Sequence, residues 1–174
     1  MTDRAPPFTQ WFDLASLGDA EKTIELHSSA DQRSGIAEWL GVDALDSFAA
    51  TVRLRRIADD LYEYDASFAA DVTQACVVTL DPLKSHLSGT LARRYRMLPR
   101  ARRHARAGEP IVADDDETET LASGVLDVAV PVLEELALVI DPYPRALGAV
   151  FDTPSDADKP ANPFFALEKL KRKR

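Results

Sequence analysis

Nucleophilic catalysis needs a serine or cysteine beside a positioned histidine and an acid, so the rarest side chains are the first candidates. The chain has three histidines, His27, His86 and His104, and a single cysteine, Cys76. Cys76 and His86 are ten residues apart and could meet across a turn. A free cysteine, however, is more often a small, buried and unreactive core residue. We therefore expect a buried Cys76, a solvent-facing His86 and a protein without catalytic residues.

Metal ions and nucleotide cofactors would also leave recognisable patterns. Glu134 and Glu135 beside Asp141, and the acidic run at 114–116, have neither the spacing of a calcium loop nor a partner histidine. The seven glycines are scattered, and no G-x-x-x-x-G-K motif occurs. One cysteine can form neither an internal disulfide nor a tetrahedral zinc site. The sequence predicts no cofactor, no metal and no small-molecule substrate.

Arginine clustering is the most informative chemical feature, because the planar guanidinium group binds phosphate bidentately. Seven arginines occur in 93–106 with no acid among them: Arg93, Arg94, Arg96, Arg100, Arg102, Arg103 and Arg106. Six acids follow in 109–119, and they could pair with these arginines or repel a polyanion. Two interpretations of the arginine block therefore stay open. It could contact RNA directly, or it could be only a solvated basic segment.

The totals for the whole chain favour one globular domain. Its 174 residues are 45% hydrophobic and 29% charged, which is typical of a folded domain with a single core. A formal net charge of -8 argues against nucleic acid coating the whole surface. No apolar run has the length of a signal peptide or a membrane span, so we expect a cytoplasmic protein.

Apolar and polar residues alternate in four segments, and this period of two predicts the strands that position these groups. The segments are 22–27, 48–55, 62–72 and 87–97. A capping box at Ser29 and Gln32, with Gly41 as a stop, predicts a helix between the first two strands. Residues 100–120 show no apolar period and are expected to form a long mobile connection.

A second helix is predicted near the end of the domain. Pro131 is suited to its first turn, and Asp141-Pro142 ends it. Its apolar face is expected to comprise Val132, Leu133, Leu136, Val139 and Ile140.

Together these elements predict an α+β fold in which an antiparallel β-meander, open or barrel-like, is covered by helices. We expect one domain over 1–151, with its core at 22–151 and an N-terminal arm at 1–21. A polar linker, 152–162, then tethers an amphipathic C-terminal helix at 163–174. The apolar side of this helix, Phe164, Leu167 and Leu170, could dock in a partner's groove or pack on its own domain.

Two stretches of this sequence resemble a known family. They are VTQACVVTLDPL at 72–83 and LEELALVIDPYPR at 133–145. In this order and separation they are similar to the YceD-like family of bacterial and plastid proteins, called large ribosomal RNA subunit accumulation proteins. A looser match, NPFFAL at 162–167, is similar to the tail of the cysteine-poor bacterial branch. The residues that carry the resemblance are Cys76, Leu80, Asp81, Pro82, Glu134, Asp141, Pro142, Tyr143, Pro144 and Arg145.

The resemblance implies a role in producing or stabilising 23S ribosomal RNA, and hence in large-subunit assembly, without an established catalytic activity. Many members carry a C-x-x-C motif that suggests a metal site, but here Thr79 stands at the second cysteine position. Two hypotheses follow. The first is an assembly factor that contacts pre-ribosomal RNA or a large-subunit ribosomal protein through the arginine block. The second is an adaptor that holds a basic ribosomal protein or an RNA-processing enzyme without contacting RNA.

Overall fold

The computed structural model describes residues 6–98 and 118–151, which contain two β-sheets, two α-helices and a short 3-10 helix (Leu14–Ser16). The class is α+β, as the sequence predicts. In chain order the elements are β1 (Trp11–Asp13), β2 (Lys22–His27), α1 (Ala30–Leu40), β3 (Ala44–Arg56), β4 (Leu61–Ala75), β5 (Pro82–Met97), β6 (Thr118–Leu121), β7 (Val125–Asp127) and α2 (Val130–Val139).

The larger sheet has five strands in the order β2-β3-β4-β5-β6 and does not close into a barrel. Strands β2 to β5 pair antiparallel, which confirms the predicted meander. Strand β6 instead runs parallel to β5, with Thr118 opposite Arg94. A parallel neighbour requires a long crossover, which residues 99–117 supply. The prediction of a connection reaching residue 120 was therefore wrong at its end, because a four-residue edge strand is too short to show a period.

One face of this sheet is buried and the other is open. The buried face includes Phe48, Ala50, Val52 and Leu54 on β3, and Tyr62, Tyr64, Ala66, Phe68, Ala70 and Val72 on β4. A bulge between Leu45 and Ser47 adds one residue to β3, so that Leu45 and Phe48 both face the core. The alternation predicted for β3 and β4 is confirmed. Polar side chains at the intervening positions form the open face.

Helix α1 begins and ends at the predicted residues. The Ser29 hydroxyl accepts a 3.2 Å hydrogen bond from the Gln32 amide, and the Gln32 side chain accepts a 2.8 Å bond from the Ser29 amide. Gly41 ends the helix at φ 72°, a left-handed conformation that glycine adopts without strain. Ile36 and Ala37 are the buried residues of this helix.

Helix α2 covers the sheet with Pro131, Val132, Leu133 and Leu136, all of which are buried. Val139 was predicted on this face but is 38% exposed. It keeps the helical spacing yet is the last residue of the helix, where fewer neighbours cover a side chain. Residues before the helix form a second sheet, in which β7 pairs antiparallel with β1. Phe8, at the start of the described chain, packs edge-on against Phe48 with ring centroids 6.3 Å apart.

Gly89 on β5 supports the ring of Phe68, its cross-strand neighbour on β4. A Cβ atom at residue 89 would lie 2.7 Å from two atoms of that ring, which is only 4% exposed and has little room to move. We expect Gly89→Ala to lower the free energy of unfolding by about 1–3 kcal/mol in urea denaturation. Gly18→Ala is the control, because a Cβ there meets nothing within 4 Å. Equal losses in the two variants would contradict this packing.

Candidate functional site

The pleat of β5 separates the three arginines of the block that lie within the described residues. Arg93 points to the covered face, where its guanidinium group is 3.1 Å from a carboxylate oxygen of Glu119 and 2.8 Å from one of Glu134. Glu119 belongs to the acidic run that follows the block, so one of the expected intramolecular pairings is present. Arg94 and Arg96 point to the open face. Of these three described arginines, Arg93 is therefore the least available to a phosphate group.

Next to Arg93, the buried side chains of Tyr64 and Tyr95 lie on the covered face of the sheet. Burial raises the pKa of Tyr95 to about 12 and raises that of Tyr64 further. Their rings meet edge-on with centroids 6.0 Å apart, and the Tyr64 hydroxyl donates a 2.8 Å hydrogen bond to the Val128 carbonyl oxygen. Both hydroxyl groups stay protonated at neutral pH, so this region is structural.

Four arginines, two from β3 and two from β5, share the open face and form what we call the arginine face: Arg53, Arg55, Arg94 and Arg96. Arg55 is opposite Glu63, which is itself opposite Arg94. Glu63 forms an ion pair with Arg55, and this hydrogen bond raises the pKa of Arg55. The Arg94 Nε atom lies 3.9 Å from the other oxygen of Glu63. One carboxylate thus holds two guanidinium groups side by side.

Arg53 and Arg55 were not among the arginines selected from the sequence. Their positions on the polar side of β3 were visible in its alternation, but only the cross-strand register places them beside Arg94. The rest of the predicted block, Arg100, Arg102, Arg103 and Arg106, lies outside the described residues, as do Phe164, Leu167 and Leu170 of the predicted C-terminal helix. Strand β5 ends at Met97, three positions before Arg100 in the sequence.

Cys76 and His86 are not brought together. His86 is opposite Asp71, five residues before Cys76 on β4, which corresponds to about 16 Å along a strand. The His86 Nδ1 atom is 2.8 Å from one oxygen of Asp71, and the other oxygen accepts a 2.6 Å hydrogen bond from the Ser47 hydroxyl. These bonds, the one from Ser47 first, lower the pKa of Asp71. Asp71 lies between Ser47 and His86 and bonds to both. His86 therefore does not contact the Ser47 hydroxyl and cannot deprotonate it as the base of a catalytic triad would.

The chain folds into a tight knuckle at 76–81, directly after β4. The Cys76 amide donates a 2.8 Å bond to the Asp81 carbonyl, and the Leu80 amide donates a 2.9 Å bond to the Cys76 carbonyl. Leu80 adopts φ 64°, the only positive φ of a non-glycine residue in the described chain. Cys76 itself is fully buried, as predicted. Its sulfur accepts hydrogen bonds from the amides of Val78, Thr79 and Ala146, at 3.5, 3.4 and 3.3 Å.

The knuckle joins the two stretches that carry the family resemblance. Besides the bond from Ala146 to the Cys76 sulfur, the Val77 amide donates a 2.9 Å bond to the Pro144 carbonyl. The Gln74 side chain donates a 3.0 Å bond to the Asp141 carbonyl. Segments about 70 residues apart in the chain are therefore held as one unit at this end of the sheet.

Hydrogen bonds from Thr79, and then from Ala146, lower the pKa of the Cys76 thiol to about 6. An unfolded cysteine has a pKa of about 8.5, so its thiolate stabilises the fold fully above that pH. This contribution is lost as the pH falls through 6. We expect the difference in unfolding free energy between wild type and Cys76→Ala to increase from pH 6 to about 8.5. Urea denaturation across this range is the measurement, and a constant difference would contradict it.

Exposed apolar side chains concentrate around the same knuckle. Eleven large hydrophobic residues are exposed in the described chain, and eight of them lie in 77–80 or 138–151. We call these eight the apolar cap: Val77, Leu80, Leu138, Val139, Tyr143, Leu147, Val150 and Phe151. Solvated apolar clusters of this kind are typical of protein interaction surfaces. The cap and the arginine face lie toward opposite ends of β4 and β5, since Leu61 is opposite Arg96 and Ala75 is opposite Pro82.

Neither α1 nor α2 has the length and apolar composition needed to cross a membrane. Within 6–98 and 118–151, no three His, Cys, Asp or Glu side chains are arranged to hold a metal ion. Comparisons of this chain with protein-family models, with curated proteins and with solved structures find no significant match.

Proposed function

We propose that this protein is a non-enzymatic, cytoplasmic, RNA-associated factor that promotes accumulation of 23S rRNA and biogenesis of the large ribosomal subunit. The observation that carries the proposal is the arginine face, from which the chain continues into the remaining arginines of the block. Guanidinium groups on an open sheet surface can contact the phosphates of an RNA strand without reading its bases. The acidic remainder of the chain would restrict such contact to this face.

The resemblance to YceD-like proteins is the reason for naming 23S rRNA as the target in this proposal. Its support in the structure is spatial: the stretches at 72–83 and 133–145 meet through the bonds from Val77 to Pro144 and from Gln74 to Asp141. A shared sequence pattern in two distant segments is most readily explained when those segments form one surface. Synthesis, processing or stability of 23S rRNA is the step that such a surface would affect.

The direct test is the ratio of 23S to 16S rRNA, with ribosome profiles on sucrose gradients, in cells depleted of this protein. We expect a selective fall in 23S and in free large subunits, and recovery when the wild-type chain is expressed. An unchanged ratio after complete depletion would overturn the proposal.

An adaptor that does not touch RNA is the second candidate, and the apolar cap favours it. In this hypothesis the cap and the acidic surface hold a basic ribosomal protein or an RNA-processing enzyme. Affinity capture before and after RNase treatment distinguishes the two. Partners that survive RNase and are lost with Leu147→Glu support the adaptor, whereas partners released by RNase support RNA contact.

A further inference from the structure

We propose that the C-terminal segment, 163–174, docks on the apolar cap of its own chain. This inference does not depend on the proposed role in rRNA accumulation. It follows from the cap, from the chemistry of the segment and from the length of the linker between them.

The cap is a surface that lacks a cover within the described chain. Leu147 is fully solvated at 108% relative exposure, and Val150, Leu138 and Leu80 are 81%, 79% and 77% exposed. Burying one such side chain stabilises a complex by roughly 1.5–3 kcal/mol before the costs of ordering are subtracted. Two or three of these residues would be enough to hold a short apolar segment.

The backbone beneath the cap is fixed by its own hydrogen bonds. The Tyr143 amide donates a 2.8 Å bond to the Asp141 carboxylate, and the Ala149 amide donates a 3.0 Å bond to the Ala146 carbonyl. The bonds from Ala146 to Cys76 and from Val77 to Pro144 attach this segment to the knuckle. A preformed surface loses little conformational entropy when it binds a ligand. Even a short segment with few contacts can therefore bind to it.

The acidic residues around the cap favour a basic occupant. Asp81 and Asp141 are exposed beside it and Glu135 is half-buried on α2, whereas Arg145 is the basic residue within its second segment. Residues 163–174 carry five basic side chains against one acid, although the net charge of the chain is -8. Their apolar residues are Phe164, Phe165, Leu167 and Leu170. The segment therefore matches the cap in both apolar character and charge.

The length of the linker keeps this segment within reach of the cap. Residues 152–162 are eleven in number and follow Phe151, which is itself part of the cap. If residues 152–162 have the dimensions of a random coil, their root-mean-square end-to-end distance is about 18 Å, and the effective concentration of the attached segment is on the order of 1 mM. An intrinsic Kd of about 0.1 mM would then leave roughly nine molecules in ten docked. A partner that binds the cap would have to displace the segment, which would lower the partner's apparent affinity about tenfold.

Hydrogen exchange of the full-length chain, followed by mass spectrometry, tests this inference. The cap variant is Leu147→Glu with Val150→Glu, and both positions are too exposed to be needed for folding. We expect amide exchange in 163–170 to be about tenfold faster in the cap variant than in wild type. The reciprocal variant, Leu167→Glu with Leu170→Glu, should speed exchange in 143–151. Ile57→Glu is the matched control, since Ile57 is an exposed apolar residue outside the cap.

Equal exchange of 163–170 in wild type and the cap variant would overturn the docking. Protection that disappears on dilution would show that a second copy of the chain, rather than the same chain, occupies the cap, and this would also overturn the proposal. Urea midpoints of all variants, measured in parallel, establish that each is folded. The 23S to 16S ratio is a separate readout, so the two proposals can fail independently.

Discussion

Alanine in place of Leu133 is expected to lower the free energy of unfolding by about 3 kcal/mol. Leu133 is fully buried and lies on the face of α2 that covers the larger sheet. The substitution removes three buried carbon atoms and leaves a cavity, because helix and sheet can close the space only in part. Urea denaturation followed by circular dichroism measures the loss, which should appear as a lower midpoint with an unchanged slope.

Leu138→Ala is the matched control for this prediction. It makes the same chemical change in the same helix, but Leu138 is 79% exposed. Alanine and leucine have similar helix propensities, so we expect a loss of about 1 kcal/mol or less, even where the docked C-terminal segment covers Leu138. Similar losses in both variants would mean that α2 does not bury Leu133 against the sheet.

Reversing two charges on the arginine face should reduce RNA binding at least about tenfold at physiological salt. In Arg53→Glu with Arg94→Glu, each guanidinium group is replaced by a carboxylate that repels phosphate. The salt dependence of binding should also become shallower, by about 0.7 in logarithmic slope for each lost contact with single-stranded RNA. Fluorescence anisotropy with a labelled 23S fragment, measured at several salt concentrations, gives both quantities.

A control variant must change the net charge equally but elsewhere. Lys22→Glu with Arg33→Glu does so, because Lys22 is opposite the buried Leu54 and shares its side of the sheet, and Arg33 is on α1, whereas the arginine face is on the open side. A weaker loss in this variant would assign the effect to the arginine face. Equal losses in the two double variants would attribute it to overall charge alone and would contradict the proposed interface.

The sequence by itself determined the elements whose signals are local. Alternation in β3 and β4 identified their buried side chains, since successive residues of a strand point to opposite faces. Ser29, Gln32 and Gly41 identified both ends of α1 because capping bonds join residues close together in the chain. The burial of Cys76 followed from the ordinary behaviour of a free cysteine. Each of these features depends on residue type and near neighbours.

Only the tertiary structure decided which distant residues meet. The parallel β6 is stabilised by pairing with β5, and no period in four residues could reveal it. Arg53 and Arg55 join Arg94 through cross-strand register, while the pleat turns Arg93 away to Glu134. The Cys76 sulfur receives a hydrogen bond from an amide 70 residues away. Such contacts are made by the packing of whole elements, which a linear pattern of residue types does not encode.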